Sequence, residues 1–338
     1  MTGLPSPAAV PPETGFATSG RTGPPVRWWR TARQLAAEVD LLTGAVLGPV
    51  EQVVNFAPPQ HLFGRLFGEI LPQRRGTPVH HLWQDPAAAP EWRPGLRTLF
   101  VCLPSSWLPL RSVADRIAEL PYAVALHGTG PVTGTARRVV RALHGRDFRA
   151  VEVFGSTETG AVAVRDIDPP GTGTSGDWRL LPDVAVDGLA DGRTCRLTVR
   201  SPRLARRDGD SAPPELLRTD DVVCGTGDRT FRFLGRASRL IKVNGVRCDL
   251  ERVEEAASRS LPGCEVVCVP GRDTVRGEHY EVFYTDPSGT VPPETVWTVL
   301  RATAGATALP RAVRRVAAVP RSATGKPRPH LLAEGGVR

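Results

Sequence analysis

The stretch from residue 33 to residue 154 alternates segments of helical spacing with short apolar runs, and this alternation limits the possible folds more than any other feature. The apolar runs predict buried strands at residues 53–57, 98–103, 122–126 and 150–154. Helical spacing of apolar residues predicts helices at residues 33–47, 61–71, 110–120 and 134–143. Strands that alternate with helices in this way indicate an α/β fold built on a parallel sheet.

The sequence changes character on both sides of this stretch. Residues 15–28 read as a small-residue loop between short apolar stretches. After residue 155, Gly, Pro and Asp interrupt runs that predict short strands at residues 178–186, 194–200, 221–223 and 231–234. These strands predict a small β-rich subdomain over residues 175–236.

A third pattern begins at residue 237. It predicts helices at residues 249–258 and 293–303 and strands at residues 265–269 and 280–284, which together indicate a compact α+β unit. Because 338 residues exceed what one ordinary core holds, we expect two domains, residues 1–236 and residues 237–338.

The composition excludes several classes of protein. Six cysteines are scattered, and no Cys or His pair has the spacing of zinc ligands. The net charge of +8 is spread along the chain without a basic stripe, so we expect no nucleic-acid partner. No apolar run of about eighteen residues predicts a membrane span, and residues 1–14 lack the pattern of a signal peptide. These features favour a cytoplasmic enzyme.

Lysine is almost absent from the chain. Only two of its 43 Lys and Arg residues are lysine, Lys242 and Lys326. A chain that uses Arg wherever a positive charge suffices retains Lys where a compact ammonium with three donors is needed, which a planar guanidinium does not mimic. The two lysines are therefore candidate functional residues.

Two segments suit phosphate chemistry. Residues 18–23 combine small residues, which let backbone N–H groups approach a phosphate, with hydroxyl donors, although no Gly-Lys-Ser/Thr follows as in the usual P-loop. Residues 154–159 end a predicted strand of the parallel sheet, where ligands of open α/β sheets bind. The Thr157–Glu158 pair suits a phosphate oxygen and a Mg²⁺ that bridges phosphates.

These segments, with others in the same order, resemble the signature motifs of the adenylate-forming superfamily, which includes acyl-CoA and aryl-CoA synthetases, peptide-synthetase adenylation domains and luciferases. The resemblance runs from about residue 15 to residue 330. The phosphate loop corresponds to residues 18–23, the acid-pocket aromatic segment to residues 58–64, the adenine segment to residues 129–131 and the Mg²⁺ segment to residues 154–158. The ribose-binding motif corresponds to residues 219–221, the hinge motif to residues 235–245 and the terminal lysine loop to residues 320–326.

The resemblance implies a fold and a set of site residues. The fold is a shortened adenylation core, made of a parallel sheet and a small β subdomain, followed by a mobile α+β C-terminal domain. The residues implied in binding ATP or AMP are Thr18, Ser19, Gly20, Thr22, Gly23, Thr129, Gly130, Phe154, Gly155, Ser156, Thr157, Glu158, Asp221 and Arg236. The residues implied at the acid substrate are His61, His127, Gly128 and Gly155.

The resemblance also implies roles in catalysis. Lys326 matches the lysine that reaches the α-phosphate and the acyl oxygen, and Lys242 matches the hinge-motif lysine of the second half-reaction. His61 matches a position that moves with the reaction stage, and Arg247 a position near the phosphates of coenzyme A. Glu158, with Thr157, matches the Mg²⁺ position.

The sequence departs from the family pattern at several places. Far fewer residues precede the phosphate loop than in most members, which implies that most of one N-terminal subdomain is missing. Arg21 replaces the usual second Ser of that loop, Val26 replaces its usual Lys, and Ser238 occupies the hinge position. These departures predict an altered phosphate loop and a more open acid pocket.

We therefore expect an ATP- and Mg²⁺-dependent ligase that activates a small-molecule carboxylic acid as an acyl adenylate and passes it to coenzyme A, an acyl carrier protein or an amine. Two alternatives stay open: activation of nitrite, as in diazo-forming relatives of acyl-CoA ligases, and a non-catalytic subunit that needs a partner chain for the missing N-terminal part. Retention of both lysines and of Glu158 argues against the subunit hypothesis.

Overall fold

The computed structural model of the chain describes residues 13–17, 26–85, 88–167, 176–244, 246–273, 277–304, 308–321, 327–329 and 331–332. The strands up to residue 236 are β1 (Glu13–Ala17), β2 (Arg27–Thr31), β3 (Gln52–Asn55), β4 (Val79–His81), β5 (Thr98–Cys102), β6 (Ala123–His127), β7 (Phe148–Ser156), β8 (Gly160–Asp166), β9 (Trp178–Leu180), β10 (Ala185–Val186), β11 (Thr194–Arg200), β12 (Arg206–Arg207), β13 (Leu217–Gly227) and β14 (Thr230–Arg236). The helices of the same part are α1 (Ala32–Leu42), α2 (Leu62–Arg65), α3 (Leu71–Arg75), α4 (Trp107–Ser112), α5 (Ala114–Ile117) and α6 (Gly134–Ala142).

Strands β3 to β7 form a parallel sheet in the order β4-β3-β5-β6-β7. Alternate residues of each strand face opposite sides of the sheet. On one side, Val53 and Leu99 share an apolar cluster with residues of α1, α3 and the π-helical turn Leu66–Ile70. On the other side, Val54 and Phe100 share a second cluster with residues of α4, α5 and α6. Helices cover both faces, which confirms the predicted α/β core.

The sheet continues past β7 without a break. Strand β8 is antiparallel to β7, and each of the strands β9, β14, β13, β11 and β10 is antiparallel to the strand before it in this order. Together with the parallel strands they form a sheet of eleven strands. Most strands of the β-rich segment predicted over residues 175–236 are thus hydrogen-bonded into the antiparallel half of the same sheet. The sequence interpretation missed β8, whose residues Ala161 to Val164 are buried and connect the two halves.

Residues 15–28, predicted to be a loop, include parts of two strands. Strands β1 and β2 pair antiparallel, and β12 pairs with the other edge of β2. Helix α1 follows β2 directly because Thr31 and Gln34 form a capping box. The π-helical turn Thr43–Leu47 then continues α1, so the helix predicted over residues 33–47 is confirmed in position although its last turn is wider.

Two other elements differ from the prediction. The helix predicted over residues 110–120 is split into α4 and α5 by Val113, whose φ of −120° and ψ of 18° lie outside the helical range. The strand predicted over residues 178–186 is likewise split into β9 and β10, with Pro182, which has no backbone N–H, between them.

The C-terminal part is an α+β unit, as predicted. Its elements are β15 (Leu240–Val243), β16 (Val246–Asp249), α7 (Leu250–Ser260), β17 (Val266–Asp273), β18 (Gly277–Tyr284), α8 (Pro293–Ala304) and β19 (Ala312–Arg315). Strand β18 lies between β17 and β19, and Tyr280 and Val282 share an apolar cluster with Leu250 of α7 and Leu300 of α8. Asp249 begins α7 by accepting hydrogen bonds from two backbone N–H groups of its first turn.

Candidate active site

The parallel strands end at one edge of the sheet, and several motifs suggested by the sequence follow them there. Cys102, the last residue of β5, lies beside His127, the last residue of β6. Strand β7 pairs with β6 as far as Glu152 and then runs on to Ser156. Both the loop after β6 and the turn after β7 therefore lie at the carboxyl edge, which is where open α/β sheets bind ligands.

His127 is fully buried, and both of its ring nitrogens bond to protein groups. Trp107 Nε1–H donates to His127 Nδ1 at 3.0 Å. Because an indole nitrogen only donates, Nδ1 is the acceptor and the proton is on Nε2, which donates to the Gly130 carbonyl oxygen at 2.9 Å. This placement favours a role in holding the loop after β6 over the predicted contact with the acid.

The state of His127 predicts how stability depends on pH. Burial lowers its pKa to about 4, whereas in the unfolded chain the ring titrates near 6.5. The unfolded state thus binds more protons between these values, so the stabilising effect of the neutral ring is complete above pH 6.5 and is lost as the pH falls. We expect this residue to remove about 3 kcal/mol of stability between pH 7 and pH 4.

Urea unfolding of the wild type and two histidine variants at pH 7, 5.5 and 4.5 measures this contribution. His127→Gln should flatten the pH dependence, whereas His144→Gln, at an exposed position, should leave it as it is. A His127→Gln variant whose stability falls with pH as steeply as that of the wild type would show that the ring is not held neutral.

The loop after β6 is tightly packed and strained. Thr129 has a φ of +68°, a left-handed conformation that a β-branched residue adopts only when its surroundings impose it. A Cβ on Gly128 would lie 2.9 Å from the Phe63 ring, and a Cβ on Gly130 would lie 2.8 Å from Pro104 Cγ. The predicted adenine segment is therefore a preorganised loop whose two glycines cannot be enlarged without moving their neighbours.

The predicted acid-pocket segment packs against this loop. His61 stands at the start of α2, but its side chain makes no capping hydrogen bond, so helix capping does not account for this histidine. Phe63 contacts the backbone at Gly128, and Gly64 lies so close to Pro58 that a Cβ there would meet the Pro58 carbonyl oxygen at 2.2 Å. The structure thus brings the segment 58–64 and the loop after β6 together.

The predicted Mg²⁺ segment forms the turn between β7 and β8. Ser156 N–H donates to Thr159 Oγ1 at 3.1 Å, and Thr159 N–H donates to Ser156 Oγ at 3.3 Å, which closes the turn. Gly160 follows with a φ of +70°, which favours glycine. Thr157 and Glu158 lie inside this closed turn, so its backbone geometry fixes where their side chains begin.

Thr157 and Glu158 have the properties expected of ligands to a hard cation and a phosphate. Both are half-buried, and within the described parts of the chain no hydrogen bond or ion pair joins either side chain to another group. The Glu158 carbonyl oxygen accepts from Ala205 N–H at 2.9 Å, which anchors the turn through its backbone. Since Mg²⁺ in nucleotide sites is bound by one or two carboxylates plus phosphates, a single free carboxylate in a fixed turn fits this ion.

Phe154 links this turn to the antiparallel half of the sheet. Its ring lies 5.0 Å from that of Trp178 and 5.6 Å from those of Phe231 and Phe233, measured between ring centroids. The cluster joins β7 to β9 and β14. A Cβ on Gly155 would lie 2.1 Å from a backbone oxygen of β8, so only glycine fits beside Phe154.

The predicted ribose and nucleotide residues of β13 and β14 face each other. Arg236 Nε donates to Asp221 Oδ1 at 3.2 Å, and Asp221 N–H donates to Thr219 Oγ1 at 3.2 Å. Burial raises the pKa of Asp221, and the Arg236 guanidinium opposes this rise. The arginine thus favours the ionised form of the Asp221 side chain, the form that would accept hydrogen bonds from the ribose hydroxyls.

Two consecutive residues of the hinge motif bond to different parts of the chain. Ser238 N–H donates to Asp220 Oδ2 at 3.2 Å, and its hydroxyl donates to the same oxygen. Arg239 is buried and turns to the C-terminal part, where it donates to the Cys268 carbonyl oxygen at 2.7 Å and pairs with Glu254. Asp220 stands where the family motif has Gly, and the sequence interpretation assigned it no contact with the hinge.

Lys242 and Arg247 lie opposite each other in the β15–β16 hairpin. The Lys242 side chain is exposed, and its backbone N–H donates to Glu278 Oε2 at 2.7 Å. The other predicted cationic residue, Lys326, lies outside the described residues, as do Thr18, Ser19, Gly20, Thr22 and Gly23 of the predicted phosphate loop.

Known proteins resemble the chain in sequence and in fold. A 4-coumarate–CoA ligase from Halorhodospira halophila is 29% identical over 234 residues, which cover 68% of this chain and 52% of that protein. An isonitrile lipopeptide synthase from Streptomyces coeruleorubidus is 30% identical over 254 residues, which cover 68% of this chain and 17% of that protein. The crystal structure of ATP-bound MatB from Rhodopseudomonas palustris matches with a TM-score of 0.70 at 18% identity, over 95% of this chain and 67% of that one.

The chain belongs to the adenylate-forming superfamily. The predicted family and fold class are thereby confirmed. This member spans about half the length of the coumarate–CoA ligase relatives it matches, 52% in the case above. No protein-family model matches the chain.

Some residues of this superfamily member escaped the sequence interpretation. Arg30, Glu38 and Arg203 form a buried ion cluster beside the Glu158 turn. The sequence does hold one signal of this cluster, since Glu38 lies on the same face of α1 as the buried Leu35 and Leu42.

Among the helices of the described residues, none has the length and apolarity that crossing a membrane requires.

Proposed function

We propose that this chain is an ATP-dependent ligase that activates a carboxylic acid as an acyl adenylate. The observation that carries the proposal is the fixed turn after β7, in which the Glu158 carboxylate bonds to no other described residue at the ligand-binding edge of the sheet. The strained loop at Thr129 and the Asp221–Arg236 pair add the surroundings that an adenine nucleotide requires.

The proposed first half-reaction is a displacement at phosphorus. A carboxylate oxygen of the acid attacks the α-phosphorus of ATP, the bond to the bridging oxygen breaks, and pyrophosphate leaves with the bonding electrons. Preorganised donors lower the barrier to such a step because negative charge develops on the phosphoryl oxygens. We assign this role to the Lys326 ammonium on the basis of the family motif that it matches.

The remaining groups bind and orient the nucleotide. Mg²⁺, when bound, offsets the charge of the phosphates, and Glu158 would hold it beside Thr157. Asp221, whose ionised form the Arg236 guanidinium favours, would accept the ribose hydroxyls. The buried His127 would hold the loop at Thr129 for the adenine ring without itself touching the substrate.

The second half-reaction passes the acyl group to an acceptor. A thiol or amine attacks the acyl carbonyl carbon and loses its proton to water, and AMP leaves with the electrons of the carbon–oxygen bond. Relatives named as a CoA ligase and as a lipopeptide synthase support a thiol, carried either by coenzyme A or by a carrier protein. Arg247, opposite Lys242 in its hairpin, is the proposed contact for coenzyme A phosphates.

Acid-dependent release of pyrophosphate from ATP tests the proposal. Aryl, fatty and amino acids are screened together with nitrite, which also tests the diazo-forming alternative. We expect release with at least one carboxylic acid. Release with nitrite alone would replace the proposed substrate class, and a chain that binds Mg·ATP but releases no pyrophosphate with any acid would contradict the ligase function.

The hinge predicts a split phenotype for Lys242. We propose that the C-terminal domain rotates about Ser238, so that Lys326 serves adenylate formation and Lys242 serves transfer. Lys242→Ala should then leave adenylate formation intact and slow transfer by about 10²-fold, the lower end of the loss expected for one preorganised donor. Single-turnover kinetics measures each half-reaction separately once an acceptor is known.

Ser238→Pro provides a second test of the same rotation. The substitution fixes φ near −65° and removes the N–H that donates to Asp220, so it should hinder one half-reaction more than the other.

Equal slowing of both half-reactions by Lys242→Ala would show that this lysine is structural and would leave the rotation without its main support.

A further inference from the structure

A buried cluster of three charged side chains lies beside the Glu158 turn. Arg30 of β2, Glu38 of α1 and Arg203, which precedes β12, are 0%, 2% and 1% exposed. Arg30 Nη1 donates to Glu38 Oε2 at 2.7 Å, and Arg203 Nη1 lies 3.3 Å from the same oxygen. A second Arg30 nitrogen donates to the Arg203 carbonyl oxygen, so the three residues form one unit.

This unit forms hydrogen bonds with the backbone of β8 immediately after the turn. Glu38 Oε1 accepts from Ala161 N–H at 2.7 Å, and Arg203 Nη2 donates to the Ala161 carbonyl oxygen at 2.8 Å. A buried residue whose N–H and C=O are both bonded to charged side chains is held more firmly than by neutral hydrogen bonds. Asp183 holds Arg203 in turn, at 2.7 Å from its Nε.

Gly160 shows how closely the cluster fits the turn. A Cβ at this position would lie 2.5 Å from both Arg30 Nη2 and Glu38 Oε2, and 3.0 Å from Arg203 Nη1. Gly160 also has a φ of +70° and follows Thr159, which closes the turn. The cluster therefore packs directly on the backbone that carries Glu158.

The cluster also connects strand β2 to the turn after β7. Arg30 lies on β2, the strand that follows the predicted phosphate loop in the sequence, and β2 pairs with β12. Between Arg203 and β12, Ala205 donates its N–H to the Glu158 carbonyl oxygen. Strand β2, helix α1, the segment before β12 and the turn after β7 are thus joined through three buried charges.

We propose that Arg30, Glu38 and Arg203 are positioning residues that fix the Glu158 turn relative to strand β2 and so set where the Mg²⁺-bound phosphates of the nucleotide are held. This inference rests on the proposed function. None of the three is a catalytic residue, because they act on the turn through its backbone at Ala161.

Stability alone is a weak explanation for such a cluster. Removing charges from water is costly, and well-packed apolar residues often replace a buried ion pair without loss of stability. Arg30 Nε makes no hydrogen bond to any described residue, and Arg203 Nη1 has only its 3.3 Å ion pair with Glu38. A cluster that is incompletely satisfied yet fits Gly160 and Ala161 closely is better explained by the geometry that it imposes.

Glu38→Gln tests the proposal, with Glu152→Gln as a matched control. The glutamine keeps the shape and an oxygen for Ala161 N–H but removes the charge that holds both guanidiniums. Glu152 is a buried carboxylate on β7 that accepts from Arg165 of β8 at 2.6 Å, so the control removes a cross-strand charge of the same hairpin away from its turn. The measurements are amide hydrogen exchange at residues 157–161, titration calorimetry of Mg·ATP binding, and thermal unfolding.

For folded Glu38→Gln we expect faster exchange at residues 157–161 and Mg·ATP affinity lower by about tenfold, the lower end of the range for changes behind a metal ligand. Glu152→Gln should change neither quantity. If Glu38→Gln does not fold, Arg203→Lys takes its place. Lysine keeps the charge but loses the two-nitrogen contact with Asp183 and the separate nitrogen that faces Glu38.

Unchanged exchange or unchanged Mg·ATP affinity in the folded variant would overturn the inference, and so would an equal loss of affinity in Glu152→Gln. Failure of the proposed function looks different, since the wild type itself would then either not bind Mg·ATP or bind it without releasing pyrophosphate with any acid. In that event hydrogen exchange still decides whether the cluster positions the turn.

Discussion

Lys326→Ala is expected to reduce acid-dependent pyrophosphate release by roughly 10² to 10³, a loss of about 2.7–4 kcal/mol in transition-state stabilisation. The reason is that an ammonium aimed at charge developing on the α-phosphate and acyl oxygens contributes only in the transition state. The effect should therefore fall on kcat and on kcat/KM alike, with little change in the affinity for Mg·ATP.

Two variants make this experiment specific. Lys326→Arg keeps the positive charge, and in a chain with only two lysines it tests whether a compact ammonium is required, so we expect it to stay well below the wild type. Lys242→Ala removes the other lysine and should leave adenylate formation intact. Pyrophosphate release by Lys326→Ala within a few-fold of the wild type would remove this lysine from the mechanism.

Glu158→Gln should shift the Mg²⁺ dependence of the reaction by roughly tenfold or more, because even changes behind a metal ligand cost about 10–100-fold in affinity. The amide preserves the shape of the side chain and the turn, whose bonds run through Ser156, Thr159 and the Glu158 carbonyl oxygen. What is lost is the charge that a hard cation prefers.

The measurement is pyrophosphate release as a function of Mg²⁺ concentration at saturating ATP. Glu158→Asp keeps the charge but shortens the side chain, so its half-saturating Mg²⁺ concentration should lie between those of the wild type and Glu158→Gln. If the curves of the wild type and Glu158→Gln coincide, the ion is held by the nucleotide alone and the metal assignment is wrong.

The sequence predicted the parallel half of the sheet better than the antiparallel half, for a physical reason. Parallel strands covered on both faces are continuous apolar runs, and β3, β5, β6 and β7 lie where such runs occur. Strand β8 begins at Gly160, two residues after Glu158, so its Ala-Val alternation follows the motif without a separate loop to mark a new strand. Without β8, the strands beyond it could not be joined to the same sheet.

The helical predictions show the same dependence on local signals. The π-helical turns Thr43–Leu47 and Leu66–Ile70 preserve an apolar face close enough to helical spacing for the helices to be placed correctly. The break at Val113 has no Gly or Pro at that residue to mark it, and α4 and α5 both still pack on the sheet, through Leu110 and Ile117.

The candidate site likewise contains residues that local motifs reveal and residues that meet only in the folded chain. Residues whose type is dictated by chemistry, such as Glu158 and Asp221, could be found from motifs. Residues that act through tertiary contacts could not, because Glu38 and Arg203 are distant in sequence and meet only in the folded chain. His127 was found by its position beside a motif. Its bonds to Trp107 and Gly130 support a role in holding the loop, and its predicted contact with the acid stays a prediction.

Exchange of labelled pyrophosphate into ATP tests the central claim most directly, because the exchange requires that an acyl adenylate forms reversibly on the protein. With an acid identified by the pyrophosphate-release screen, we predict that label enters ATP only when that acid and Mg²⁺ are both present, and that Lys326→Ala abolishes most of the exchange. Acid-stimulated formation of ADP and phosphate, or binding of Mg·ATP without any acid-dependent exchange, would contradict the account.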